Sequence, residues 1–410
     1  MSRLTPKRFS VRGTLLIDSA DSSKINTIFR GCTLPNLIER HDPHRVPPLS
    51  STSLLLVVAG LALLVIGADS LVSGASRIAR RFGVPPLIVG LTIVAVGTSA
   101  PEIVVSTTAA LGGYGSLALG NVVGSNIYNV LLILGITAVI LPLTVSVSLI
   151  RQEVPVMIGL SVLLLLMLLD GLLSAVEAGV LLGLGTGYIL LLIVQTRRVA
   201  DRGENVVLDL PDLGGWSARL PPLAALGFGL VALVVGARML VSGATDIALA
   251  LGVDEVVIGL TVVAIGTSLP EIAAGVAAVL RGERDLAIGN VIGSNVFNIA
   301  LCLGLAGLLT PSALVAPEQL LVFDLRVMVI VALVLLPLAF TGYVVSRVEG
   351  GVLLGWSVVY LAWTVLAATA SPLLSTFSSV ALFGLLPATG VYLCATVVIA
   401  LRDRSRSGHT

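Results

Sequence analysis

The chain has 410 residues, of which 56% are hydrophobic and only 11% charged, with mean hydropathy +1.06 and formal net charge +1. A soluble domain of this size would carry about 25% charged residues, so the composition is that of a polytopic membrane protein. The near-zero charge gives nucleic-acid binding no support, and Cys32, Cys302 and Cys394 have neither disulfide-framework nor zinc-site spacing.

Residues 1–50 read as a polar N-terminal tail of mixed charge. Thr14–Ile17 is too short for the apolar part of a secretory signal. The segment is therefore taken as a disordered tail or a misassigned start, with no function assigned. His41 and His44 lie here and His409 in the C-terminal tail, so the membrane part holds no histidine. That removes a histidine proton relay and most transition-metal sites.

From Ser53 onward, apolar runs long enough to cross a bilayer follow one another. They predict helices over 53–78, 86–111, 117–141, 153–170 and 174–195, then over 221–249, 255–280, 286–309, 325–345 and 350–369. The first set forms a five-helix repeat, 53–195, and the second forms another, 220–369. A polar linker, 196–219, joins them. The run 376–401, which includes Pro387, has no partner in the first half and predicts an additional helix before a basic tail, 402–410. The expected class is an all-α polytopic membrane protein with two inverted five-helix repeats and an extra C-terminal helix.

The repeat is explicit in the sequence. Gly90–Gly135 aligns with Gly259–Gly304 without a gap, and roughly 26 of 46 positions are identical. An odd number of helices per half turns the second copy upside down. The flanking charges agree: Arg77 faces Asp246, Arg80 and Arg81 face Leu249 and Ala250, while Gly112 and Gly115 face Arg281 and Arg284. Matching cores with exchanged flanking charges are what the positive-inside rule requires of an inverted repeat. One side collects Arg77, Arg80, Arg81, Arg151, Arg197, Arg198, Arg202, Arg219, Arg281, Arg284 and Arg347, with Arg402, Arg404 and Arg406 in the tail. The internal loops of the other side have essentially none apart from Arg326. The arginine-rich side is expected to be cytoplasmic, with the N-terminus outside and the linker and C-terminus inside. The basic N-terminal tail opposes this orientation and is outweighed by the many short loops. Asp69 and Arg238 share one repeat position with opposite charge. Either they snorkel near helix ends, or they pair with other groups at the boundary between the first and sixth helices.

Each copy places one glutamate, Glu102 or Glu271, just after a proline in an apolar run. A carboxylate there costs about 2.5–3.5 kcal/mol even on the mild insertion scale, and intramembrane ionisable groups are functional by default. Structural glutamates neutralised by protonation are the plain alternative; two at matched positions beside hydroxyls favour a site. Pro101 and Pro270 each remove a backbone donor and free carbonyls about one turn earlier, near Ala95–Thr98 and Ala264–Thr267. Irregular backbone at membrane depth is tolerated where it lines a cavity or binds an ion. Thr98, Ser99 and Glu102 lie within about one turn, as do Thr267, Ser268 and Glu271. A packing kink rich in small polar residues is the plain alternative.

The second element is Gly120-Asn121-x-x-Gly124-Ser125-Asn126-x-x-Asn129, matched by Gly289-Asn290-x-x-Gly293-Ser294-Asn295-x-x-Asn298. Ser125 and Asn129 share a helix face, as do Ser294 and Asn298. The glycines also permit close helix packing. No phosphate or dinucleotide loop is implied, because basic residues and a strand–helix context are missing. Two carboxylates with carbonyls, hydroxyls and amides make an all-oxygen inventory for a hard cation. Calcium accepts 6–8 oxygens at about 2.3–2.6 Å in loose geometry, whereas magnesium demands tighter geometry and resists dehydration. Sodium could use the flanking carbonyls and hydroxyls.

GTSAPE with GNVVGSN, repeated as GTSLPE with GNVIGSN, resembles the α-repeats of the calcium/cation antiporter superfamily, nearest its bacterial sodium/calcium exchangers. The resemblance covers about Ser53–Thr369. It implies that Glu102 and Glu271 are central calcium ligands with Thr98 and Thr267. It also implies that Ser99, Ser125, Ser268 and Ser294 surround sodium sites, with carbonyls from Ala95 and Ala264. Some exchangers carry aspartate at the position of Asn298; here Asn129 and Asn298 are both asparagine, one carboxylate fewer. The function expected is alternating-access antiport of Ca²⁺ against Na⁺, exporting calcium across a bacterial inner membrane. No cofactor is expected, and the partners are the bilayer and the transported cations. The rivals are a Ca²⁺/H⁺ antiporter on the same glutamates and a cation channel. An intramembrane enzyme is disfavoured because no nucleophile set or H-E-x-x-H pair occurs.

Overall fold

The computed structural model describes residues 51–201, 216–253, 255–258, 261–262, 264–340 and 343–407. The expectations for residues 1–50, for Cys32, His41, His44 and His409, and for most of the linker lie outside the described residues. The first half contains α1 (Ser51–Phe82), α2 (Pro86–Thr98), α3 (Ala100–Leu111), α4 (Gly115–Ile140), α5 (Leu149–Asp170) and α6 (Ala175–Asp201). The second contains α7 (Pro222–Ala250), α8 (Leu269–Leu280), α9 (Arg284–Leu309), α10 (Leu320–Leu338) and α11 (Arg347–Ala368). Short helical turns, Glu255–Ile258 and Ala264–Gly266, precede α8. α12 (Leu374–Thr396) follows.

Among the described residues nine helices are long and apolar enough to cross a membrane, or ten if the bent pair α2–α3 counts as one span. The sequence reading predicts eleven continuous helices. One difference lies at Pro101; the other predicted span, 255–280, includes residues outside the described ones. α2 and α3 meet at 43°, because Pro101 cannot donate to the preceding turn and Ser99 leaves helical geometry at φ −78°, ψ 3°. Ser268, just before Pro270, does the same at φ −88°, ψ 5°.

Turn chemistry repeats as the sequence does. Gly83 ends α1 at φ +62° and Gly252 closes the chain after α7 at φ +76°; Gly113 and Gly282 end α3 and α8 at φ +83° and +78°. A left-handed residue just past the helix lets the following N–H groups reach back to the last carbonyls, as Tyr114 N does to Ala109 O at 2.8 Å.

The closest packing is between α1 and α7. Gly60 lies against Leu240, Gly67 against Leu233 and Gly74 against Leu226, so the two helices run antiparallel. A Cβ on Gly60 would stand 2.6 Å from the backbone nitrogen of Leu240, and one on Gly229 2.5 Å from that of Leu71. Only hydrogen at those positions permits the approach, the usual device for helices in lipid.

The interior is built by α4 and α9, whose most apolar windows are 72% and 83% buried; for α12 the figure is 0%. α12 touches the rest through bonds such as Trp356 Nε1 to Thr389 Oγ1 (3.0 Å) and Trp363 Nε1 to Ser378 Oγ (3.1 Å). Two antiparallel two-residue ribbons tie the halves together. β1 (Leu143–Thr144) pairs with β4 (Val344–Val345), and β2 (Leu172–Leu173) pairs with β3 (Leu314–Val315).

Candidate ion-binding site

The bends deliver the glutamates. Glu102 and Glu271 stand in the first turns of α3 and α8, where the helix dipole favours negative charge. Both are 1% exposed and close enough to repel one another. The contacts cross between repeats. Ser99 donates to Glu271 Oε1 at 3.2 Å, with Thr98 alongside; Thr267 and Ser268 stand beside Glu102. Among the described residues neither glutamate forms an ion pair with a basic side chain.

The asparagines interlock around the same centre. Asn129 Nδ2 donates to Asn295 Oδ1 at 3.1 Å, and Asn298 Nδ2 donates to Asn126 Oδ1 at 3.2 Å, the same contact with the repeats exchanged. Asn126 Nδ2 also reaches Asn295 O at 3.2 Å, and Thr98 Oγ1 donates to Asn290 Oδ1 at 3.1 Å. Asn129 and Asn298 each open a π-turn, Asn129–Leu134 and Asn298–Leu303; such turns gather at functional positions.

Several buried oxygens here have no hydrogen-bond partner: both of Glu102, Oε2 of Glu271, Oγ of Ser268 and Ser294, and Oδ1 of Asn129. Buried polar atoms are rarely left unpaired, and these are all acceptors suited to a hard cation.

Of the expected residues, Thr98, Ser99, Glu102, Ser125, Asn129, Ser268, Glu271, Ser294 and Asn298 are all buried, and Thr267 is half-buried. One expectation needs correction. The Ala95 carbonyl is not left without a partner: it accepts Ser99 N–H at 3.0 Å, with the Thr98 hydroxyl at 3.4 Å. That is the ordinary helical bond four residues on, since the donor missing at Pro101 would have served the carbonyl of Gly97; the second lone pair of Ala95 O is what remains for an ion. Ala264 begins the equivalent turn. Beside this second turn opens a cleft of about 340 Å³, lined by Leu240, Val241, Ile265 and Leu269 among others.

Other residues at this centre were not expected there. Cys302 lies close to both glutamates, with Sγ 3.7 Å from Asn298 Oδ1. Met157 Sδ accepts from Asn295 Nδ2 at 3.4 Å. Asn126, Asn290 and Asn295 sit in the glycine–asparagine motif, but only the fold shows what they hold.

Within α1, Asp69 pairs with Arg281 and accepts from Ser217 Oγ at 3.1 Å. Arg77 donates to the carbonyls of Leu220 and Ser217. Glu283, buried nearby, has its carboxyl pushed up by burial, opposed by Ser76 and Arg80 beside it. Arg238, at the repeat position of Asp69, is exposed.

A many-helix membrane fold with two facing carboxylates in a shell of hydroxyls and amides defines a cation transporter rather than an enzyme. The chain belongs to the sodium/calcium exchanger protein family, whose model matches residues 52–197 and 222–366. It is 34% identical over 344 residues to the sodium/calcium exchanger MaX1 of Methanosarcina acetivorans, covering 76% of this chain and 98% of that one. It is 39% identical over 270 residues to the inner membrane protein YrbG of Escherichia coli, covering 64% and 81%. The solved structure of the sodium-calcium exchanger NCX_Mj, soaked with 2.5 mM Na⁺ and 0.1 mM Ca²⁺, is similar with TM-score 0.65 and 33% identity, over 76% of this chain and 97% of that one. The protein is thus a multi-pass cation/Ca²⁺ antiporter.

Proposed function

We propose that the protein exchanges Ca²⁺ for Na⁺ by alternating access, with Ca²⁺ held between Glu102 and Glu271. The unpartnered buried oxygens at this centre, two carboxylates among them, carry the reading. Ca²⁺ balances the two carboxylates and accepts the loose, all-oxygen coordination that hydroxyls and amides offer. Ser99, Ser125, Ser268 and Ser294 supply the hydroxyls for Na⁺, with carbonyls of Ala95 and Ala264. Asn129 and Asn298 contribute amide oxygens.

The charge balance makes the site an exchanger. Moving an empty dianionic site past apolar gates exposes carboxylates to the bilayer, at about 2.5–3.5 kcal/mol or more for each. The switch therefore needs about two compensating positive charges: one Ca²⁺, several Na⁺, or two protons. α1 and α7, locked together by their glycines, are the natural unit to move against the core holding the site. The arginine-rich end, with Arg77, Arg80, Arg81, Arg281 and Arg284, is the cytoplasmic one by the positive-inside rule. The N-terminus is then outside and the linker and C-terminus inside, in the inner (plasma) membrane. The domain division proposed is the one read from the sequence: repeats over 53–195 and 220–369, a linker over 196–219 and an added helix over 376–401.

One observation favours proton coupling instead: the amide oxygens of Asn126 and Asn295 already accept from Asn298 Nδ2 and Asn129 Nδ2, which leaves fewer oxygens for sodium. Radiolabelled Ca²⁺ uptake into proteoliposomes, under separately imposed Na⁺ and H⁺ gradients, decides. Uptake driven by Na⁺ and indifferent to a pH gradient is expected. Uptake driven equally by a pH gradient in sodium-free buffer, and unmoved by added Na⁺, overturns sodium coupling. Flux needing no counter-ion would indicate a channel.

A further inference from the structure

Each repeat buries a second carboxylate that the ion site does not use. Glu153 closes the π-turn Leu149–Glu153 at the start of α5, and Asp324 closes Leu320–Asp324 at the start of α10. Glu153 is 3% exposed and Asp324 half-buried. A carboxylate inside an apolar span is costly and needs a named partner. Each has a tyrosine from the next helix: Tyr188 on α6 donates to Glu153 Oε2, and Tyr360 on α11 donates to Asp324 Oδ1 at 2.9 Å.

The tyrosine rings reach across to the other repeat. Tyr188 packs against Phe297 with ring centres 6.1 Å apart, and Tyr360 meets Tyr128 edge to face at 5.6 Å. Both lie within the range of favourable aromatic pairs. Phe297 and Tyr128 are the residues immediately before Asn298 and Asn129, where the π-turns begin. α5 grips the same neighbour twice, because Met157, one turn beyond Glu153, accepts from Asn295. A buried acid needing only local satisfaction would not require a ring contact to the opposite repeat, in both copies, one residue from the ion site.

We propose that Glu153–Tyr188 and Asp324–Tyr360 are positioning residues that hold the amides of Asn298 and Asn129, respectively, with their oxygens toward the transported cation. The proposal rests on the reading that these asparagines face the ion. An amide has one acceptor end and one donor end, so its orientation matters; a carboxylate presents oxygen either way. Asn298 therefore needs its clamp, whereas an aspartate there would not.

The test is the Ca²⁺ concentration dependence of proteoliposome uptake for Tyr188→Phe in three backgrounds: unchanged, Asn298→Asp and Asn129→Asp. Tyr188→Phe should raise KM for Ca²⁺ about three- to tenfold in the unchanged and Asn129→Asp backgrounds, and leave it unchanged in Asn298→Asp. Tyr360→Phe should show the converse pairing. If Tyr188→Phe alone does not fold, Tyr188→Phe with Glu153→Gln removes the same bond without leaving a buried charge unpaired, and the same outcomes apply. An equal rise in all three backgrounds, or none in the unchanged one, overturns the clamp while leaving the site intact. If Asn298→Asp and Asn129→Asp both leave Ca²⁺ KM and Na⁺ dependence unaltered, the asparagines do not face the ion, and the clamp falls with that reading.

Discussion

The two repeats spell the same motif and hold it differently. Glu271 accepts a hydrogen bond from Ser99, whereas neither oxygen of Glu102 has one and Ser268, the counterpart of Ser99, is unpartnered. Asn121 Nδ2 is held by Ser106 Oγ at 3.0 Å. In the second repeat the place of Ser106 is taken by Gly275, and Asn290 Nδ2 has no partner while its oxygen accepts from Thr98. Near-identical motifs thus sit in unequal environments. The proposed alternating access requires this in any one conformation, because two inverted copies in identical states would open to both sides or neither.

The strongest way to break the comparison is to remove either charge. Glu102→Gln and Glu271→Gln should each reduce Ca²⁺ uptake to background while folded protein still reaches the membrane, since each removes half of the charge balancing the ion. Near-normal uptake by either variant refutes the paired site.

Where the repeats are alike, they should fail alike. Gly60→Ala and Gly229→Ala each force a methyl against the backbone of the facing helix. Each should destabilise the protein by about 1–3 kcal/mol, the usual scale of overpacking. Thermal unfolding in detergent checks this, and an effect on only one of the two would show that the α1/α7 seam is not equivalent along its length.

The two charges at this shared repeat position should differ. Asp69 is paired to Arg281 while Arg238 is exposed. Asp69→Asn should change the transport rate about threefold or more, and Arg238→Gln less than about twofold, as part-buried and exposed charges differ. Equal effects on uptake velocity would remove any special role for the pair. The finest probe exchanges a single one of the differences between the repeats, Ser106 against Gly275. Ser106→Gly frees the Asn121 amide, a loss of about 1 kcal/mol, and should shift Ca²⁺ KM by about fivefold at most. A Ca²⁺ titration of uptake that shows a larger shift would mean Asn121 contacts the ion itself.

Much of this was legible because the duplication is explicit in the sequence. Glu102, Glu271, Pro101 and Pro270 stand out as a charge and a helix breaker in apolar runs, and the swapped arginines are visible without coordinates. What could not be read are contacts between repeats. Nothing in Gly-Asn-x-x-Gly-Ser-Asn says that Asn129 meets Asn295, or that Cys302 and Met157 reach the centre. The glycines at 60, 67 and 74, matched at 229, 236 and 243, have a readable seven-residue spacing, but lie outside the aligned block. Glu153 and Asp324 were hidden by a shift in alignment between the repeats, which breaks the constant offset. The carbonyl of Ala95 keeps its helical bond from Ser99 because the donor missing at Pro101 belongs four residues back, at Gly97.

The central claim is that Glu102 and Glu271 together bind one Ca²⁺ in competition with Na⁺. Equilibrium binding of radiolabelled Ca²⁺ to the purified protein, titrated with NaCl at constant ionic strength, tests it directly. One Ca²⁺ per chain, displaced by Na⁺ but not by an inert cation, and absent in both Glu102→Gln and Glu271→Gln, is the predicted result. Binding that survives either substitution, or that Na⁺ leaves untouched, would contradict it.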